Sequence, residues 1–117
     1  KSYIKYFKLP ESFHGVKTPW LAFPLVIKKN KKFNRMELQI FFEKNNIQTR
    51  TIFTGNILKQ PAMRGLKHNS KKDAGNNSNY VMKNGILLGC HHGLSLRDLN
   101  YITKTFLKFL KSKKYKT

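Results

Sequence analysis

Acidic residues are almost missing from this sequence: there are five, Glu11, Glu37, Glu43, Asp73 and Asp98, in 117 residues. Glu37 and Glu43 read as helix-surface residues and Asp98 as a helix-start residue, so no carboxylate pair is offered for general acid–base work. Cysteine is limited to Cys90, which excludes an internal disulfide and a zinc site built on several cysteines. The expected compartment is a reducing one, the cytoplasm. No apolar run approaches the roughly 20 residues that span a bilayer, so no membrane partner is expected. The opening KSYIKYFKLPESF has neither the apolar centre nor the small-residue cleavage site of a signal peptide. It also lacks an initiator Met, from which we expect the chain to begin inside a longer protein. A glycine-rich phosphate loop is missing as well.

What is abundant is lysine. Lys and Arg number 24 and the formal net charge is +19, yet only four of the 24 are arginine: Arg35, Arg50, Arg64 and Arg97. Lysine neutralises phosphate as a point charge, whereas arginine supplies bidentate recognition of bases and phosphates. The lysines run the length of the chain, with small clusters at Lys28–Lys29, Lys31–Lys32, Lys71–Lys72 and Lys113–Lys114. They read as a solvated surface. Weak, salt-sensitive binding to polyanions follows from the charge alone, and a stand-alone nucleic-acid-binding module is the alternative function.

The length fits one domain with a modest core. Residues 1–19 read as an irregular lead-in, 20–110 as the domain, and 111–117 as a Lys-rich tail. WLAFPLVI, from Trp20 to Ile27, is a strand-length apolar run; Pro24 cannot donate to a ladder, so an edge position or a bulge is expected there. Asn34 with Glu37 makes a capping box before a helix carrying Met36, Leu38, Ile40, Phe41 and Phe42. IQTRTIF, from Ile47 to Phe53, alternates as a half-buried strand, and 63–79 is polar and loop-like. Asn79–Asn84 reads as a helix end with Gly85 as its C-cap, and Ile86–Cys90 as a short buried strand. Ser95, with Asp98 following, starts a last helix striped by Leu99, Ile102, Phe106, Phe109 and Leu110. The fold class expected is α+β: a sheet of about three strands with helices packed on one face.

Three constellations could carry chemistry, and each has a plainer reading. Arg50 at a strand end is a natural clamp for carboxylate or phosphate, with Gly55 permitting close approach and Asn56 and Gln60 offering amides. The plainer reading is an ion pair beside a turn. Cys90, His91 and His92 follow a strand; adjacent histidines point apart and make a poor joint metal site, although His14 or His68 could join them in the fold. A turn with one ring in a cleft is favoured, with Cys90 as a small apolar filler. The aromatic set Tyr3, Tyr6, Phe7, Phe13, Trp20, Phe23, Phe33, Phe41, Phe42 and Phe53 could stack bases. Most of these fall on apolar faces and read as core, while Tyr3, Tyr6 and Phe7 lack an evident core role and could dock on a missing domain.

The run IQTRTIFTGNILKQPA at 47–62, with NYVMKNGILLGCHHGLSLRDLNYITKTFLKFL at 79–110, resembles the C-terminal end of the DegT-type nucleotide-sugar aminotransferase family. The matching pieces are Thr49-Arg50, Gly55-Asn56, Gln60-Pro61, the Gly85 turn, Gly89-Cys90-His91 and Gly93-Leu94-Ser95; WLAFPLVIK matches the opening strand, and the resemblance covers about 19–110. The branch it looks most like is that of the 4-keto-6-deoxyhexose 3-dehydratases of lipopolysaccharide synthesis. The resemblance implies the C-terminal small domain of a fold-type I enzyme that uses pyridoxal phosphate or pyridoxamine phosphate. It implies a large N-terminal domain holding the cofactor and the catalytic lysine or histidine, a homodimer partner, and a nucleotide-sugar substrate. Arg50 and Asn56, then Gln60 and His91, are the substrate-binding residues it implies; it assigns no metal and places the catalytic base outside this chain. Either an amino group passes from glutamate to a keto sugar, or the sugar loses its C3 hydroxyl. Some such dehydratases also use an iron–sulfur cluster, which one cysteine cannot hold. The isolated chain is expected to be inactive. The Lys-rich segment Arg64–Asn77 departs from the connection pictured for relatives, which puts local substrate contacts in question.

Overall fold

A computed structural model describes residues 4–30, 32–68 and 75–114, the side chain of Lys114 excepted. Four strands, β1 (Phe7–Lys8), β2 (Ala22–Ile27), β3 (Thr49–Thr51) and β4 (Gly85–Gly89), form one sheet in the order β1-β2-β4-β3. Every pairing is antiparallel. Helices α1 (Arg35–Glu43), α2 (Asn76–Asn84) and α3 (Leu96–Lys114) complete the α+β layer expected from the sequence. No helix among the described residues is long and apolar enough to cross a membrane.

Strand alternation decides the core. Leu25 pairs with Ile86 and Phe23 with Leu88, so these four side chains share one face. Leu38 and Phe42 of α1 and Phe109 and Leu110 of α3 are buried with them in one cluster. Leu87 pairs with Pro24 on one side and Arg50 on the other, and the three share the opposite face. Pro24 is tolerated because β1 reaches only Val26 and Ile27, leaving β2 an edge on that side where the missing N–H breaks no bond to β1.

The lead-in supplies the fourth strand, which the sequence reading did not contain. Phe7 pairs with Ile27 and is 2% exposed. Tyr6 stacks on Phe33 at 5.6 Å, so Phe7 and Tyr6 belong to this domain's own packing and not to a docking surface. Tyr3 lies outside the described residues. The Lys-rich tail is likewise part of a helix as far as Lys114. Lys113 is buried, with Nζ 2.5 Å from Glu37 Oε1, and it ties the end of α3 to the start of α1.

Helices α1 and α3 start as their sequences dictate. Asn34 Oδ1 accepts from Glu37 N–H at 3.0 Å while Glu37 Oε2 accepts from Asn34 N–H at 3.0 Å, a complete capping box. Ser95 Oγ accepts from Asp98 N–H at 3.2 Å, and Asp98 Oδ2 accepts from Ser95 N–H at 2.9 Å and its hydroxyl at 2.6 Å. Those Ser95 bonds, hydroxyl first, hold the Asp98 carboxyl below its ordinary value of 3.8, with Arg97 and His91 helping. Helix α2 begins at Asn76 and runs directly into β4. Gly85 is the C-cap of α2 as expected, its N–H donating to Val81 O, and at φ −88° in extended backbone it is also the first strand residue. It is glycine because a Cβ there would lie 2.5 Å from Ile52 Cδ1 and 2.6 Å from the Val81 carbonyl. Tyr80 Oη donates to Ile27 O at 2.9 Å and Arg35 Nη1 to Met82 O at 2.5 Å, fastening α2 to β2 and α1.

Phe42→Ala is expected to cost about 3–5 kcal/mol of unfolding free energy in urea titrations, since it opens a cavity at a fully buried aromatic. The Asp98 cap contributes stability that is fully present above pH 3.8 and fades as pH falls through the lower folded value. Thermal melts of the wild type and Asp98→Asn should therefore differ at neutral pH and converge in strong acid.

Candidate functional site

The residues singled out in the sequence fall in two places on opposite sides of the sheet. On the open side stands Arg50. Thr49 is turned inward because Glu43 Oε1 accepts from its N–H at 2.7 Å and its hydroxyl at 3.1 Å. The next residue must therefore point outward, and Arg50 is exposed there beside Leu87.

The chain then turns sharply. Phe53 N–H donates to Thr51 O at 2.9 Å, and Phe53 takes φ 41° with its side chain 76% exposed. A bulky residue at positive φ, held open to solvent, is a strained arrangement of the kind that gathers at functional sites. The sequence reading placed Phe53 in the core, and the structure corrects this: IQTRTIF is strand only over Thr49–Thr51. The available signal was its position just before Thr54-Gly55, where alternation had already ended. Phe13, 82% exposed, leaves the expected core for the same surface fate.

Gly55 has φ 68°, and a Cβ on it would overlap the Met82 side chain, so this turn packs directly on α2. Asn56 is 5% exposed. Its Oδ1 accepts from Leu58 N–H at 3.0 Å, capping a 3-10 turn at Ile57–Lys59, and its Nδ2 donates to Asn79 Oδ1 at 2.9 Å. Gln60 Nε2 donates to Thr54 O at 2.8 Å. The Asn56 and Gln60 amides thus fasten the loop, Asn56 to α2 and Gln60 within the turn, while Arg50 and Phe53 are presented outward.

His91 belongs to the second place. Past β4 the chain reaches a groove of about 600 Å³ between the sheet's helix side and the first half of α3. Phe23, Leu25 and Leu88 form its floor, Leu99, Ile102 and Phe106 one wall, and Cys90, His91 and His92 its end. His91 Nδ1 accepts from Gly93 N–H at 3.2 Å, closing the turn before α3. Among the described residues no lysine, arginine or carboxylate lines this groove. Among the described residues no three His, Cys, Asp or Glu side chains gather as a metal site.

Comparison with known proteins accounts for this architecture. The sequence profile of the DegT/DnrJ/EryC1/StrS aminotransferase family matches residues 4–107, and the chain belongs to that family. It is 28% identical over 109 residues to the lipopolysaccharide biosynthesis protein RfbH of Salmonella typhimurium, covering 93% of this chain and 25% of that protein. It is 30% identical over 107 residues to the dTDP-4-dehydro-2,6-dideoxy-D-glucose 3-dehydratase of Saccharopolyspora spinosa, covering 87% of this chain and 23% of that one. Among solved structures, a GDP-4-keto-6-deoxymannose-3-dehydratase with a trapped PLP-glutamate geminal diamine superposes with a TM-score of 0.73 at 25% identity, over 86% of this chain and 25% of that chain. The chain therefore spans about a quarter of the length of the relatives it matches. The groove does not fit pyridoxal phosphate, since among the described residues it offers no lysine or arginine for the phosphate and no carboxylate for the pyridine nitrogen.

If Asn56 works inward and Arg50 outward, their alanine variants separate in stability. Asn56→Ala should lower unfolding free energy by about 1–3 kcal/mol, because Asn79 and the Leu58 N–H lose a buried partner. Arg50→Ala should stay within about 0.5 kcal/mol of wild type in the same urea titration.

Proposed function

We propose that this chain is the C-terminal small domain of a nucleotide-sugar enzyme dependent on pyridoxal or pyridoxamine phosphate, of the 4-keto-6-deoxyhexose 3-dehydratase branch, serving deoxysugar and lipopolysaccharide synthesis. The observation that carries the reading is family membership over 4–107 combined with an exposed Arg50 on the strand that leads into a fastened turn. The cofactor and the catalytic base are supplied by a large domain outside this chain, and the complete enzyme works as a cytoplasmic homodimer. This domain contributes a wall to the cleft. Arg50 binds the anionic part of the nucleotide sugar, and the exposed Phe53 lies against its sugar or base. Asn56 and Gln60 serve binding by holding the turn in shape, and His91 lines the cleft from the other side of the sheet. The chain alone binds no cofactor and turns over no sugar.

The intact mass of the native polypeptide in its source tests this reading. A mass several times 13.7 kDa, with these residues at its C-terminal end, is expected. Upstream peptides would then carry a histidine at the cofactor position for a dehydratase and a lysine for an aminotransferase. In that full-length protein Arg50→Ala should raise the KM for the nucleotide sugar at least tenfold. A mass of 13.7 kDa sinks the proposal. The +19 charge would then favour a stand-alone polyanion binder, recognised by duplex binding that weakens steeply with salt.

A further inference from the structure

Helices α1 and α3 lie side by side and antiparallel. Tyr101 Oη donates to Asn45 O at 2.9 Å, Phe41 meets Phe109 at 5.2 Å, and Lys113 reaches Glu37. Their sheetward sides are buried in the core, so their outward sides form one surface. On α3, Arg97, Lys104, Lys108 and Lys111 are all exposed. Helical spacing puts these four within about 40° of one line, opposite Phe106, in a row about 21 Å long. On α1, Met36, Ile40 and Lys44 follow at four-residue steps on the side away from Leu38 and Phe42. Met36 is 69% exposed and Ile40 50%. Because Phe41 is level with Phe109 and Glu37 with Lys113, Met36 and Ile40 stand beside the Lys108–Lys111 end of the row.

The acids of these two helices are engaged elsewhere: Glu37 receives Lys113, Glu43 holds Thr49, and Asp98 closes on Ser95. Among the described residues none of the five outward cations makes an ion pair. A face that is basic and apolar at once selects its partner. A nucleic acid would use the lysines, but its phosphate backbone has no place for Met36 and Ile40, and a face with one arginine has little means of reading bases. An anionic bilayer uses both, since its headgroups attract the lysines and its acyl boundary receives exposed apolar side chains. We propose that the outward face of α1 and α3 binds the surface of an anionic lipid bilayer. The expectation of no membrane partner rested on the lack of a spanning run; no described helix spans a bilayer, and this contact is with the surface alone. Arg50 lies on the opposite face of the sheet, so a domain seated in this way keeps the arginine turned toward water.

Vesicle flotation tests the proposal. The probe is vesicles of phosphatidylglycerol and phosphatidylcholine in equal parts, titrated against the 117-residue chain, with pure phosphatidylcholine vesicles as the reference. Binding to the anionic vesicles alone is expected, weakening as salt rises. The triple variant Lys104→Gln/Lys108→Gln/Lys111→Gln should weaken it by about tenfold or more. Lys8→Gln/Lys17→Gln/Lys59→Gln removes the same charge from exposed sites on β1, the lead-in and the 3-10 turn, and should leave binding nearly intact. Met36→Gln/Ile40→Gln should weaken binding by about threefold or more without changing its salt dependence. Circular dichroism should show all three variants folded, because every replaced side chain is exposed. No binding to anionic vesicles overturns the proposal, and an equal loss in the two lysine triples overturns it in favour of net charge alone. Unchanged binding by Met36→Gln/Ile40→Gln also overturns it, and tighter binding to duplex DNA than to the vesicles then identifies a nucleic acid as the partner. The native polypeptide, whatever its length, should bind the same vesicles; if it does not, the face is covered and the proposal fails. None of these readouts involves the cofactor or a nucleotide sugar, so they stand or fall separately from the enzyme reading.

Discussion

Interlocked phenylalanines hold the two layers together. Phe42 meets Phe106 edge to face at 4.5 Å, Phe33 meets Phe109 at 5.0 Å, and Phe7 meets Phe106 at 5.4 Å. These rings come from β1, the segment before α1, α1 itself and α3, so one cluster ties β1 and α1 to α3, while strand pairing joins β2, β4 and β3. Aromatic pairs at such angles contribute about 0.5–1.5 kcal/mol each beyond the area they bury. The cluster also determines where the sheet is covered. It fills the space under α1 and the later part of α3, and leaves the first half of α3 facing an open groove.

The scarce carboxylates follow from the same economy of structure. Glu37 caps α1 and receives Lys113, Glu43 holds Thr49 and so turns β3, and Asp98 closes the start of α3. Three of the five acids thus fasten the fold. That leaves a sequence overwhelmingly positive and poor in acid–base groups. Arg50 gains its exposure through this arrangement: Glu43 takes Thr49 inward, and alternation sends the arginine out. Gly55 then brings the turn onto Met82, and Asn56 and Gln60 lock it.

Much of the fold was legible in local sequence. The caps at Asn34 and Ser95 are made with partners three residues away, so no distant contact was needed to foresee them. The runs at 20–27 and 86–90 gave the two central strands to within a residue or two, because apolar runs of that length have few other uses. Lys113 shows the limit. As one of several lysines in a polar tail it carried no sign of burial, which depends on Glu37 arriving from 76 residues away.

The sequence by itself determined the α+β class, the two helix starts, the alternation that makes Arg50 and Thr49 face opposite ways, and membership in a family through an ordered set of motifs. Only the tertiary structure decided which way each face looks and what covers it. It put Phe7 under α3, drew Asn56 into bonds with α2, pushed Phe53 into solvent at a left-handed φ, and set His91 across the sheet from Arg50. The physical reason is that a period of two or of 3.6 residues fixes relative orientation along an element, while burial depends on which distant element packs against it.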